Sequence, residues 1–598
     1  MTIPSVLGES FNASQTGINE LCETFIINSH FDKLCAPNHT IMKGPRGSGK
    51  TTLLRMLQVD TLDQWKHQDA TKYREKINYS GVFVPTDRLW KVKYDESRAL
   101  IEKFPTIESL LNSLFIYHVL FRILDVLKYK TDRNVERDSV RFGFSSLSKE
   151  DEAELVCELS KSCYLNPSRN TLRSLASSIL LKNEEISSFI TSVISGEDFG
   201  KDVPKHFSGN LIQPIINAIA TINLFIKGKK TKWAILFDEL ELAPESIVNT
   251  IINALRGSGT HSLIFKLAIS PYHKNLEITK HPSSPMPNQD YTFLNLSEIP
   301  IQEGLMFATK LSEQVFNKNG LTKEVSEYFV EPPYRQKTSR DVLNSNFEDL
   351  SKKDASFRSY LIKHGIQLGE ISKYTDENKG TILRKIQFIA AIRNHYLGTE
   401  GTRKSRRSSF EYYAGFEHIC RALEFNPRML IGIMTNFARE ASHNKIIPIS
   451  KQLQELGSFY ESFRALLETI AVVDNFSEFN NVYELIEAIG QFFTDEILSP
   501  DFNAEPKGSI IFSGSKNNKN YFSAIGSALN AGALVLIEST DHPVQELDDL
   551  TQARCRLSYL FAHVFKITMT KQREIDLSKI LIKNKKNDSE ASEQMDLL

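Results

Sequence analysis

The 598-residue sequence lacks several features that would each name a class of protein. It has almost no net charge: 72 Lys and Arg stand against 73 Asp and Glu, a formal balance of −1. No global basic field therefore draws it to nucleic acid, and any such contact must come from a local patch. Its six cysteines, Cys22, Cys35, Cys157, Cys163, Cys420 and Cys555, are scattered along the chain. None forms a C-x-x-C pair, so neither a zinc site nor a disulfide framework is indicated, which suits a reducing cytoplasm. No stretch approaches the roughly 20 apolar residues that a membrane span needs. The N-terminus has no charged leader followed by an apolar segment. A cytoplasmic protein without membrane contact is expected. No nuclease, protease or deaminase motif is visible, so any destructive chemistry would lie in a partner. The composition that remains, 41% hydrophobic and 24% charged, is that of a soluble globular protein, and the length suggests three or four domains.

One segment stands out from that background. Gly44-Pro45-Arg46-Gly47-Ser48-Gly49-Lys50-Thr51 fills the P-loop pattern G-x-x-x-x-G-K-[ST] completely. The spacing has a chemical reason. The glycines let the backbone curl so that successive N–H groups face one phosphate chain. Lys50 can reach the β- and γ-phosphates, and the Thr51 hydroxyl can meet Mg²⁺. Thr40-Ile41-Met42 reads as the end of a strand before the loop. Thr52 opens an apolar-periodic helix after it, which puts the loop at a helix N-terminus that favours an anion.

A second segment adds hydrolytic chemistry. Trp233-Ala234-Ile235-Leu236-Phe237 reads as a strand buried on both faces, and it ends in Asp238-Glu239. Asp238 there can hold Mg²⁺ through water, and Glu239 can polarise the attacking water. Glu241 is a rival base, expected to point elsewhere. Ala243-Pro244-Glu245 opens the next helix, with Pro where no N–H is lost. A further strand, Leu263–Ile269, ends at Ser270, which is either a polar sensor of the nucleotide or a simple strand-ending hydroxyl. Tyr291–Leu296 looks like one more core strand. Far downstream, Asn426-Pro427-Arg428 starts an apolar helix. An Arg there opposes the helix dipole, which hints at another task, such as contacting the γ-phosphate from a lid.

On these residues the chain resembles AAA+ ATPases, and within them the origin-recognition-complex (ORC)-like group and its relatives among the STAND ATPases. The matching elements are Gly44–Thr51, Phe237-Asp238-Glu239, the strand ending at Ser270, and Asn426-Pro427-Arg428 as a sensor-2-like motif. The resemblance implies an α/β, ASCE-type P-loop core with a parallel sheet. It implies ATP and Mg²⁺ as ligands, Lys50 and Thr51 on phosphate and metal, Glu239 as catalytic base and Arg428 as lid sensor. The family usually has Asn or Thr where Ser270 stands. In the family the leader before the P-loop contacts adenine, which places base recognition around Phe11–Gly17.

The organisation expected is a core in two parts, 1–94 and 231–299, split by a helical insertion at 95–230. The insertion either covers the sheet or binds a partner. Residues 300–436 would form a helical lid, 445–582 a winged-helix-like domain, and 583–598 a disordered polar tail. In the winged-helix-like part, Val482–Phe493 and Tyr521–Asn530 are helices. Ser509–Phe512, Ala533–Ile537 and Arg554–Leu560 are strands. The would-be recognition helix shows Ser523, Ser527 and Asn530 rather than Arg, so duplex DNA and a protein partner are both open. The densest basic cluster, Arg403-Lys404-Ser405-Arg406-Arg407, could touch nucleic-acid phosphate or act as an arginine finger; it could equally be a solvated loop. Arg256 is another finger candidate. Two functions follow: a nucleotide-driven switch or motor acting on DNA, or an ATP-dependent assembly scaffold or sensor that recruits an effector protein. Self-assembly fits both, and fold analogy suggests a DNA-linked or antiviral-defence role in a prokaryote.

Overall fold

Five short segments form a five-stranded, all-parallel sheet: β1 (His39–Lys43), β2 (Tyr79–Pro85), β3 (Lys232–Asp238), β4 (Leu263–Ile269) and β5 (Tyr291–Asn295). The computed structural model describes residues 16–581, less 87, 133–144, 196–201, 227–231, 258–261, 274–283, 333–338, 372–373, 375–376, 405–409, 473–478, 513–519, 538–549 and 552. The strand order is β2-β3-β4-β1-β5. The register sets Pro85 beside Asp238, and Ile269 beside Lys43. The carboxyl ends of β1, β3 and β4 therefore share one edge, where ligands of open parallel sheets gather.

Alternate side chains feed two layers, as the period of a strand requires. Trp233, Ile235 and Phe237 pack with the insertion helices. Ala234 and Leu236 pack with Leu53 and Leu54 of the P-loop helix and with Phe25, Phe31 and Trp65. All seven residues of β4 are buried, including Lys266. That ammonium is satisfied by the Ala36 carbonyl (2.7 Å) and the Thr40 hydroxyl (2.8 Å).

The insertion folds into helices Pro105–Lys130, Lys149–Ser162, Leu172–Ile194 and Gln213–Phe225. The first lies against the sheet, with Phe115 stacked on Phe237 at 5.8 Å. Contrary to the expectation that no stretch approaches a membrane span, this helix is long and apolar enough to be one, but most of its side chains are buried among neighbouring helices and the sheet.

Beyond β5, one continuous core runs through the described residues from Ala308 to Leu581. It joins residues 300–436 to the C-terminal segment. Within it, the fully buried Arg393 pairs with Asp354 and donates to the Ile497 and Ser499 carbonyls. A second sheet comprises β6 (Lys507–Ile511), β7 (Leu534–Ile537), β8 (Arg554–Leu557) and β9 (Arg573–Asp576), in the order β7-β8-β6-β9. Strand β8 runs antiparallel to β6 and β7, and β9 runs parallel to β6. Helix Phe522–Ala531 connects β6 to β7.

Candidate nucleotide site

The P-loop bends where its glycines permit. Gly47 (φ 83°) and Gly49 (φ 91°) both hold left-handed conformations, which a side chain would oppose. Gly49 precedes helix Lys50–Arg55. Lys50 Nζ donates to the carbonyls of Gly44 (2.5 Å) and Pro45 (3.1 Å). Burial pushes its pKa down, while the carboxylates of Glu241, Asp238 and Glu239 push it back up.

The decisive contact joins the two sequence motifs. Thr51 Oγ1 donates to Asp238 Oδ2 at 2.7 Å, across the end of the intervening strand β4. Asp238 Oδ1 is buried without a hydrogen-bond partner. Burial raises this carboxyl to about 6, with the Thr51 bond pulling the other way. A threonine hydroxyl and a carboxylate oxygen left open are the hard donors that Mg²⁺ prefers, with phosphate and water completing its shell. The residues present thus fit a magnesium ion. Among the described residues, no group of three or more His, Cys, Asp or Glu side chains could hold a metal by itself.

These groups line a cavity of about 560 Å³ together with Arg46, Gly47, Ser48, Thr52, Glu239, Ser270 and Arg428. Glu239 is exposed at its mouth, in a left-handed conformation (φ 52°) that is uncommon outside glycine and is found where surroundings enforce it. That one residue corrects the expectation for Glu241. The chain reverses at Glu239, and the 3₁₀ turn Leu240–Leu242 carries Glu241 back into the same cavity. Its Oε2 is buried and unpartnered. Burial drives its carboxyl up to about 7, with Lys50 acting in the opposite direction. Ser270 is buried on the cavity wall, and its hydroxyl donates to the Tyr272 carbonyl at 3.3 Å.

The opposite wall comes from helix Pro427–Asn444. Asn426 caps it: Oδ1 accepts from the N–H groups of Arg428 (3.1 Å) and Met429 (3.4 Å). Pro427 follows at the position where a missing N–H matters least. The same asparagine reaches the P-loop, since Nδ2 donates to the Arg46 carbonyl at 3.1 Å. Arg428 is half-buried in the cavity wall. Desolvation and then Arg46 lower its pKa, against Glu239. An added Cβ on Gly47 would lie 2.8 Å from Asn426 Oδ1 and 2.9 Å from Arg428 Cβ, so this helix sits directly on the loop.

A second cavity of about 300 Å³ flanks the other side of Ser48, Gly49 and Thr52. Phe25, Ile26, Leu311, Pro427 and Ile431 give it an apolar lining. It draws on four separate segments of the chain, so no local pattern announced it. Of the leader expected to meet a base, residues 11–15 lie outside the described residues, and Thr16 accepts from Arg55 at 2.8 Å through its carbonyl.

The basic candidates stand apart from both cavities. Arg256 is exposed and donates to the Ser284 carbonyl at 2.9 Å. Lys404 is exposed and donates to the His395 carbonyl at 2.7 Å. Arg406 and Arg407 lie outside the described residues. The neighbouring Arg403 is tied to Asp495 at 2.9 Å and to the Leu498 carbonyl.

A family model described as ORC-CDC6-like matches residues 8–577. No curated protein and no solved structure matches the chain.

Proposed function

The chain belongs to the ORC-CDC6-like family of AAA+ ATPases, matched over residues 8–577, and from that premise we propose that it hydrolyses ATP with Mg²⁺ in the cavity between the P-loop, β3, β4 and helix Pro427–Asn444. The observation that carries this reading is the Thr51–Asp238 hydrogen bond, with Asp238 Oδ1 left open beside Lys50 and Arg428. The P-loop N–H groups and Lys50 would hold the phosphates, with Lys50 exchanging its carbonyl partners for phosphate oxygen. Thr51 and Asp238 would hold the metal, which when bound neutralises charge building on the phosphates. Glu239 would accept a proton from the attacking water. Arg428 would meet the γ-phosphate from the lid side. The 300 Å³ apolar cavity suits a nucleobase, stacked on hydrocarbon and Phe25.

The output is conformational. Asn426 ties the lid helix to the P-loop, so phosphate state and lid position are mechanically joined. The first reading is a nucleotide-driven switch or motor in a DNA-linked or antiphage-defence system. The alternative is an ATP-dependent scaffold or sensor that assembles and recruits an effector. One observation favours the alternative. Much of the would-be recognition helix, Phe522–Ala531, is buried against the rest of the protein, through Phe522, Ile525, Gly526 and Leu529 among others. ATP turnover and particle mass, measured together for wild type and Glu239→Gln with and without duplex DNA, decide between them. A larger ATP-trapped assembly without DNA affinity supports the scaffold, and DNA-stimulated turnover supports the switch or motor. Absence of Mg²⁺-dependent ATP binding would refute both.

A further inference from the structure

The phosphate cavity has a wall that neither the P-loop core nor the lid helix provides. Asn530, near the C-terminal end of helix Phe522–Ala531, lines it as well. Its side-chain amide grips one residue twice. Oδ1 accepts from the Tyr272 N–H at 2.8 Å, and Nδ2 donates to the Tyr272 carbonyl at 2.8 Å. Tyr272 stands two residues beyond Ser270, and the Ser270 hydroxyl bonds the same carbonyl. The main-chain carbonyl of Asn530, which a helix end leaves without a partner in its own helix, accepts from the Arg46 N–H of the P-loop at 3.0 Å. One turn earlier, Gly526 lies against the Tyr272 ring, so that an added Cβ would run into it. A single helix end thus touches the P-loop shoulder and the tip of β4 together.

A second joint holds the other side of the cavity. Arg556 on β8 forms a two-pronged pair with Glu424, at 2.6 and 2.7 Å, and Glu424 also accepts from the Tyr559 N–H at 2.7 Å. Glu424 and Phe425 both hold left-handed backbone, with φ of 54° and 53°. Such a pair persists only where the surroundings enforce it. The residues that follow are Asn426-Pro427-Arg428, so this turn aims the lid arginine at the cavity.

We propose that helix Phe522–Ala531 and strand β8 form a working wall of the nucleotide site, with Asn530 and Arg556 as positioning residues, so that their docking and the binding of ATP favour one another. The proposal rests on the ATP reading above. Asn530 fixes the P-loop and the β4 tip in the arrangement that frames the phosphates. Arg556 fixes the turn that presents Arg428. Coupling of this kind is reciprocal: contacts that favour the ligand are themselves favoured by it.

The test uses the full chain, a fluorescent ATP analogue with Mg²⁺, and hydrogen exchange across residues 522–531. Asn530→Ala loses both side-chain bonds to Tyr272 and is expected to weaken nucleotide binding about tenfold. Gly526→Ala, which wedges the ring away, acts in the same direction. Adding Tyr272→Ala to Gly526→Ala removes the wedge and restores part of the affinity. In the wild type, which needs no substitution, ATP slows exchange in 522–531, a result that a merely structural contact would not give. A wild type that binds ATP while Asn530→Ala binds it equally well or better, or with unchanged exchange in 522–531, overturns the inference and leaves the ATP reading intact. A wild type that binds no ATP overturns both.

Discussion

Asn426 offers the sharpest perturbation of the site, because one side chain performs two separable tasks. Its Oδ1 caps helix Pro427–Asn444, and its Nδ2 bridges to the Arg46 carbonyl. Loss of an N-cap asparagine costs about 1 kcal/mol, and the cap bond to Met429, at 3.4 Å, is long, which argues for no more than that. The bridge to Arg46 contributes about 0.5–1.5 kcal/mol, as a neutral hydrogen bond does. Asn426→Ala removes both. The expected outcome is a fall in melting temperature of about 3–10 °C, from roughly 1.5–2.5 kcal/mol lost at about 2–4 °C per kcal/mol for a domain of this kind, together with ATP binding weakened about 3- to 10-fold from the lost bridge. Asn426→Asp separates the two effects. Its carboxylate still caps, and favourably so at a helix N-terminus, but it has no donor for Arg46. It should melt close to wild type and still bind ATP more weakly. Differential scanning fluorimetry and a fluorescent-nucleotide titration on the same samples give both numbers. If Asn426→Asp binds ATP as tightly as wild type, the Asn426–Arg46 bridge has no part in nucleotide binding and the mechanical link drawn from it is wrong.

Other expectations concern the buried charges. Because burial raises the Glu241 carboxyl to about 7 from an ordinary 4.5, the folded state disfavours its ionised form. Its contribution to stability is therefore lost as pH rises through that interval. Glu241→Gln should melt with wild type near pH 4.5 and above it beyond pH 7, as read from paired melting curves. Asp238, raised to about 6 chiefly by burial, binds a proton in competition with Mg²⁺, so Mg²⁺-dependent ATP binding should weaken as pH falls below about 6, measured by titration at fixed ionic strength. Arg393→Met leaves Asp354 charged and buried and should cost about 3–5 kcal/mol in urea unfolding, whereas Arg393→Met with Asp354→Leu should recover much of that loss.

What could be read from the sequence follows from how local each feature is. The P-loop lies in eight consecutive residues, and its geometry depends on glycine positions that any reader of the chain can see. The central strands β3 and β4 announce themselves because burial on both faces demands near-continuous apolar runs. Strand β9, Arg573-Glu574-Ile575-Asp576, gave no such signal: it sits at a sheet edge with its first two residues exposed. The place of Glu241 hangs on the left-handed turn at Glu239, which nothing in Asp238-Glu239-Leu240-Glu241 demands. Asn530 was visible on the face of its helix. Its hold on Tyr272, 258 residues away, is a product of tertiary packing and has no local trace.

The central claim is that the cavity hydrolyses ATP with Glu239 as the base. Phosphate release at saturating ATP and Mg²⁺, from wild type, Glu239→Gln and Glu241→Gln side by side, tests it most directly. Turnover in Glu239→Gln is predicted to fall about 100-fold or more, the scale of a lost general base, with ATP still bound, while Glu241→Gln stays within a few-fold of wild type. Wild-type turnover in Glu239→Gln, with turnover abolished in Glu241→Gln, would contradict the account and assign the base to the carboxylate deeper in the cavity.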